Sequence, residues 1–133
     1  MRTAVLAAPG RIEFVERPRP ALRPDQVRAA VSACGVCASE VPLWTGLEPD
    51  DMPAEIGHEI AGVVEETGAD VTAVEPGDHV VVWTAGGGGF ADELVAGEGS
   101  CVKVAPGLPF AAVAEPLSCV VNAVELMASA ETT

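Results

Sequence analysis

Positive charge is scarce in this chain of 133 residues, which has seven Lys and Arg residues against 20 Asp and Glu residues and a net charge of −13. Such a chain repels a phosphate backbone, so we expect no nucleic-acid partner. An anionic membrane surface is disfavoured for the same reason. We find no apolar run of membrane-spanning length. We also find no signal peptide, because the N-terminus begins directly with a strand pattern. The sequence therefore predicts a cytoplasmic protein without a membrane partner.

Cysteine and nucleotide-binding motifs are also limited. The chain has four cysteines, and Cys34 and Cys37 form its one Cys-x-x-Cys pair. Without a second such pair a four-cysteine structural zinc site is excluded, and nothing indicates the secretion that a disulfide framework requires. No Gly-x-Gly-x-x-Gly is present. The glycine run at 86–89 leads into another predicted strand rather than a helix, so we interpret it as a flexible turn and not as a dinucleotide site.

The pattern of the remaining residues predicts a mainly β fold. Short apolar runs separated by Gly and Pro turns are typical of a small barrel or sandwich. After position 107 the apolar period becomes helical. We therefore divide the chain into a barrel domain, 1–108, and a helical segment, 109–133. The predicted strands are 3–7 and 11–16 (a hairpin), 26–33, 56–65, 79–83, 90–96 and 101–104. The predicted helix runs from 109 to about 129, with an apolar stripe of Val113, Leu117, Val120, Val121, Val124 and Met127.

Two short segments carry most of the candidate chemistry. One is GVCASE at 35–40, which offers a thiolate and a hydroxyl. The other is GHE at 57–59, which offers an imidazole and a carboxylate. Sulfur, nitrogen and oxygen donors together are the ligand types of a catalytic zinc site with an open position. The alternative is that Cys37 is a buried cysteine and His58 a satisfied strand residue, as both often are.

These segments belong to a longer ordered set of motifs. The set comprises GVCAS at 35–39, PAEIGHEIAGVV at 53–64, PGDHVV at 76–81, GFADELV at 89–95 and EPLS at 115–118. In this order, and over nearly the whole chain, they resemble the catalytic domain of the zinc-dependent medium-chain dehydrogenases. The resemblance implies a GroES-like, partly open β-barrel with short helices and a C-terminal helix.

The resemblance also implies a set of zinc ligands. Cys37 and His58 match ligand positions of the family. In the polyol-type branch the glutamate after the histidine is a ligand, which makes Glu59 our third ligand. Glu115 matches a glutamate that lies near the metal, often through water. Adjacent strand residues point to opposite faces, so His58 and Glu59 can share a metal only if the backbone is distorted, for instance at Gly57.

By the same resemblance Ser39 and Glu59 form the catalytic set, with the Ser39 hydroxyl passing a proton between substrate and solvent. The alternative for Ser39 is a helix N-cap. Glu40 stands where relatives usually have aspartate. Pro42 stands near a relay histidine of many relatives, and a proline cannot shuttle protons, so an intact relay is not expected.

The other cysteines and the second histidine are assigned ordinary roles. We interpret Cys34, Cys101 and Cys119 as structural residues. His79 replaces a common arginine, and we expect it at the surface.

The family resemblance implies zinc as a cofactor, and NAD(P) only if a Rossmann domain is supplied elsewhere. We expect a zinc-binding domain of an alcohol or polyol dehydrogenase that cannot transfer hydride alone. Its expected partners are an alcohol or polyol, a Rossmann-domain protein, or a second copy bound through the C-terminal helix. Two alternatives stay open: a stand-alone domain with redox-neutral zinc chemistry such as hydration, elimination or cyclisation, and a metal-free interaction module.

Overall fold

The computed structural model describes residues 1–47, 51–108 and 111–130. Its strands are β1 (Arg2–Ala8), β2 (Arg11–Glu16), β3 (Gln26–Gly35), β4 (Ala54–Glu55), β5 (Glu59–Thr67), β6 (His79–Trp83), β7 (Glu93–Gly97) and β8 (Cys101–Lys103). Its helices are α1 (Val41–Thr45) and α2 (Ala114–Ala130). Short 3-10 turns precede α1, β8 and α2, at Ala38–Glu40, Glu98–Ser100 and Ala111–Val113.

The strands form two antiparallel sheets in the orders β2-β1-β4 and β7-β3-β5-β6-β8. The segment before β7 joins them, because Phe90 O accepts a hydrogen bond from Ala4 N–H and Asp92 O accepts one from Val31 N–H. Open sheets joined in this way form the predicted GroES-like, partly open barrel.

Two apolar clusters hold the barrel together. The larger lies between β3, β5, β6 and β7, where alternating Val, Ile and Leu side chains are removed from water. The smaller is built from Leu6, Ala54 and Ile56. Burial of such side chains stabilises the fold by about 1.5–3 kcal/mol each before conformational entropy is counted. The larger cluster fixes β3 and β5, the two strands that flank the candidate site.

Most predicted elements are observed, although several boundaries are shifted, and α2 begins at Ala114 rather than at 109. The 3–7 and 11–16 hairpin and the 79–83 strand are confirmed. The strand expected from 56 begins only at Glu59, because Gly57 adopts φ +90°, which no regular strand contains. The strand expected from Phe90 begins at Glu93. Part of the expected acidic loop at 48–53 lies outside the described residues, as do 109–110 and 131–133.

The predicted C-terminal helix is present as α2, but its apolar stripe faces solvent. Leu117 is 61% exposed and Met127 is 71% exposed, and the other stripe residues are exposed as well. The segment Ala111–Ser129 has 19 residues and a mean hydropathy of 1.4, so by length and composition it could cross a membrane. Our statement that the chain has no apolar run of that length was therefore wrong. One such helix is weak evidence for a membrane protein, because core helices of soluble proteins pass the same test.

Candidate metal centre

Cys37 is held just beyond the end of β3. The strand ends at Gly35, and Cys37 has extended backbone angles, φ −87° and ψ 145°, immediately before the Ala38–Glu40 turn. Its side chain is half-buried. The following helix α1 has Pro42 in its first turn, where a missing N–H costs nothing, and ends at Gly46 with φ +75°. The end of α1 lies beside the turn between β1 and β2, because Trp44 O accepts a hydrogen bond from Gly10 N–H at 2.8 Å.

His58 and Glu59 lie at the start of β5. Gly57 has φ +90°, and a Cβ atom there would lie 2.9 Å from both Cys34 Sγ and Phe90 N. Only glycine fits such a position without strain. Because His58 precedes the strand, the alternation of faces that separates neighbouring strand residues does not apply to His58 and Glu59. The distortion that we expected near Gly57 is therefore present.

The donor atoms of Cys37, His58 and Glu59 converge. One ligand atom from each residue lies within 4.8 Å of the others, and Glu59 is buried while the other two are half-buried. Tetrahedral zinc with bonds of about 2.0–2.3 Å separates its ligands by about 3.4–3.8 Å. Small side-chain adjustments therefore bring these three donors to zinc distances. A thiolate, an imidazole and a carboxylate form a three-residue set that leaves a fourth position open.

Glu40 ties the two donor segments together. Its Oε2 accepts a hydrogen bond from Cys37 N–H at 3.3 Å, and its Oε1 accepts one from Gly57 N–H at 2.5 Å. The same Oε1 lies 3.8 Å from His58 Nδ1. The sequence identifies Glu40 only as a replacement for aspartate, and it names no partner for the second imidazole nitrogen. The position of Glu40 in the motif indicates that it belongs to the site. The sequence does not show which groups its side chain, which is longer than that of aspartate, contacts.

Glu115 lies on the first turn of α2 and is not in the cluster of three donors. Its Oε1 accepts a hydrogen bond from the Cys119 thiol at 3.6 Å. The charge of Glu115, more than any other cause, raises the pKa of Cys119, and Cys37 adds a smaller contribution in the same direction. The role of Glu115 as a residue near the metal stays a prediction.

Ser39 lies within the Ala38–Glu40 turn and is exposed. The N-cap position of that turn is Cys37, and the N-cap of α1 is Glu40. The alternative role of Ser39 as an N-cap is therefore wrong. Its proton-transfer role stays a prediction.

The other cysteines differ from one another. Burial, the largest cause, raises the pKa of Cys34 to about 11 and that of Cys101 to about 11, and both thiols pack against the larger core cluster. A pKa this high makes them poor nucleophiles and poor redox partners, so the structural interpretation fits both residues. Cys119 is exposed, so packing in a core does not explain it. His79, which we expect at the surface, is half-buried.

Two cavities adjoin the donor cluster. One of about 710 Å³ has Cys37 and Glu40 on its wall, together with apolar side chains such as Leu6, Trp44 and Phe90. The other, of about 520 Å³, has Gly35 and Glu59 on its wall. Cys37 and Glu59 are therefore on the walls of two different cavities.

Comparison with known proteins identifies the family. Residues 23–107 match the alcohol dehydrogenase GroES-like domain, which is more than half of the chain, and the chain belongs to this family. A protein of Mycobacterium tuberculosis described as a zinc-binding alcohol dehydrogenase is 38% identical over 90 residues, covering 67% of this chain and 23% of the relative. S-(hydroxymethyl)glutathione dehydrogenase of Escherichia coli is 42% identical over 82 residues, covering 60% of this chain and 22% of the enzyme. The chain thus spans under a quarter of each of these relatives.

Solved structures share the fold. Galactitol-1-phosphate dehydrogenase of E. coli superposes with a TM-score of 0.79 at 22% identity, covering 87% of this chain and 42% of the enzyme. A Sinorhizobium meliloti protein described as a zinc-binding dehydrogenase, bound to NADP, superposes with a TM-score of 0.78 at 25% identity, covering 94% of this chain and 45% of that protein. A quinone oxidoreductase of Pseudomonas syringae superposes with a TM-score of 0.72 at 30% identity, covering 84% of this chain and 36% of the enzyme. The predicted family and fold are confirmed, and zinc is supported at the level of the family.

Proposed function

We propose that this domain binds a catalytic zinc ion through Cys37, His58 and Glu59 and serves as the metal-binding part of an alcohol or polyol dehydrogenase. The observation that carries the proposal is the convergence of a thiol, an imidazole and a carboxylate within 4.8 Å, although His58 and Glu59 follow Cys37 by 21 and 22 positions in the sequence. Zinc-binding dehydrogenases among the relatives support the same metal.

The residues around the donors have distinct tasks in this proposal. When bound, zinc supplies a Lewis acid that polarises a substrate oxygen. Cys37 and Glu59 bring negative charge to the metal, which limits its net charge and tunes the acidity of the open position. Glu40 holds the two donor segments at a fixed separation through the N–H groups of Cys37 and Gly57. In this proposal Glu115 would lie near the metal and act through water, and Ser39 would pass a proton to solvent.

Hydride transfer needs a nicotinamide, for which this domain has no binding motif. The described ranges, 1–47, 51–108 and 111–130, contain no parallel sheet and no Gly-x-Gly-x-x-Gly turn. In this proposal NAD(P) is bound by a Rossmann domain supplied elsewhere. The exposed stripe of α2 contacts either that domain or a second copy of this chain. The substrate is a small alcohol or polyol, and the protein acts in the cytoplasm.

Metal analysis tests this proposal. We expect one zinc per chain in the reduced protein, and its loss in Cys37→Ser and in His58→Ala. Cys101→Ser is the matched control and should keep the metal, because that thiol packs on the core. Absence of zinc from the wild type under metal-replete, reducing conditions would contradict the proposal and leave an interaction module.

A titration with NADH and NADPH tests whether the nicotinamide is bound by a domain other than this one. We expect the zinc-loaded chain alone to bind neither nucleotide. Turnover of a hydration or elimination substrate by the chain alone would instead favour redox-neutral chemistry.

A further inference from the structure

Gly35 and Glu59 face each other across the two central strands. They are paired in the register of β3 and β5, and Glu59 is only 8% exposed. A Cβ atom placed on Gly35 would lie 2.0 Å from Glu59 Oε2, 3.0 Å from Glu59 Cβ and 3.1 Å from Glu59 Cδ. Carbon atoms pack at about 3.5–4.0 Å, so these approaches are overlaps. The Glu59 side chain therefore occupies the space that a side chain at position 35 would fill.

Backbone conformation does not explain this glycine. Gly35 ends strand β3 and is not among the glycines with positive φ, whereas Gly57 is. An alanine at position 35 would meet no backbone strain of the left-handed kind. The three atoms nearest to its Cβ would all belong to Glu59. What position 35 provides is room for one carboxylate.

We propose that Gly35 is a positioning residue for the metal centre: by lacking a side chain, it lets the Glu59 carboxylate lie over the end of β3, within reach of Cys37 and His58. This inference rests on the proposed function, because it concerns Glu59 as a ligand. It gives a physical reason for a glycine two residues before Cys37. The small residue sets the path of a ligand on the neighbouring strand.

We expect the substitution Gly35→Ala to displace the Glu59 carboxylate. Glu59 Oε2 is the end of a flexible side chain, so it can rotate away from an added methyl group. A carboxylate that has rotated away is no longer directed at the other two donors. We expect the zinc affinity to fall about tenfold or more, as it does when a group that orients a metal ligand is lost. The visible absorption of bound Co²⁺ should also change, because it reports the ligands and their geometry.

Matched variants isolate the cause. Gly97→Ala changes another strand-ending glycine, which has φ −65° and no atom within 4 Å of an added Cβ, and it should bind zinc like the wild type. Glu59→Ala removes the carboxylate itself. In the double variant Gly35→Ala/Glu59→Ala the first change should add no further loss of affinity, because the carboxylate that it displaces is gone and only the 3.0 Å approach to Cβ of residue 59 remains.

The outcomes separate this inference from the proposed function. Zinc binding by the wild type, weakened in Gly35→Ala but equal in the Glu59→Ala single and double variants, supports the inference. Equal affinity and an equal Co²⁺ spectrum in Gly35→Ala and wild type overturn it and leave the proposed function standing. No zinc binding by the wild type overturns both. If Gly35→Ala unfolds, the variant Gly35→Ala/Glu59→Gly, which lacks all three overlapping atoms of Glu59, decides the matter. If this variant folds again, the overlap with Glu59 is supported, and if it stays unfolded, the inference is overturned.

Discussion

The barrel and the C-terminal helix differ in the solvent exposure of their aliphatic side chains. Ile60, the second residue of β5, is 1% exposed, whereas Leu117, on the apolar stripe of α2, is 61% exposed. Both segments are rich in aliphatic residues, so composition does not distinguish them. The barrel buries its aliphatic face within the described chain, and α2 does not. The barrel is therefore the stable unit, and the three converging donors belong to it rather than to the helix.

The largest expected effect compares the two apolar segments directly. Ile60→Ala should lower the free energy of unfolding by about 2–5 kcal/mol, because it opens a cavity in the core. Leu117→Ala should change it by no more than about 0.5 kcal/mol, because that side chain is exposed. Urea unfolding followed by circular dichroism measures both. A loss at Leu117 as large as that at Ile60 would show that α2 is packed in solution, and would break the comparison.

The second prediction compares the glutamate of the barrel with the glutamate of the helix. Glu59→Ala should weaken zinc binding by about 100-fold or more, because it removes a ligand. Loss of a residue that only supports a ligand weakens metal binding by about 10- to 100-fold. Glu115→Ala should weaken it by no more than about tenfold, because Glu115 is outside the donor cluster. Competition with a coloured chelator gives both affinities. The reverse order would make Glu115 the third ligand.

The smallest effect concerns thiol reactivity in the two regions. Cys34 and Cys101 have pKa values of about 11, so near pH 8 only about one thiol in a thousand is ionised, and both should resist alkylation. Cys119 is exposed, and the Glu115 carboxylate raises its pKa. Glu115→Gln removes that negative charge, lowers the pKa, and should speed alkylation of Cys119 a few-fold. Peptide mass spectrometry measures each site, and an unchanged rate at Cys119 would contradict the pairing.

Sequence patterns predict most of the fold because the turns carry their own signals. Pro9 and Gly10 separate β1 from β2, and Pro106 and Gly107 mark the change from strands to helix. The start of β5 was misplaced because Ile56 and Gly57 continue an apolar pattern, while the positive φ of Gly57 leaves no trace in that pattern. A hydropathy pattern records which residues are apolar and does not record backbone angles.

The sequence likewise predicts only part of the candidate site. The motifs around Cys37 and His58 predict which donors meet, and the structure brings those donors together with Glu59. The bridging role of Glu40 and the space left by Gly35 depend on side-chain paths between distant segments. The exposure of Cys119 depends on what α2 packs against, and no property of the α2 sequence specifies that.

Cobalt substitution tests the central claim most directly. Co²⁺ bound to a thiolate gives a charge-transfer absorption in the near ultraviolet that carboxylate and imidazole ligands do not give. We predict this band in the wild type and in Cys34→Ser, Cys101→Ser and Cys119→Ser, and its loss in Cys37→Ser. A band that survives Cys37→Ser, or that disappears in Cys119→Ser, would place the metal away from the barrel cluster and contradict the account.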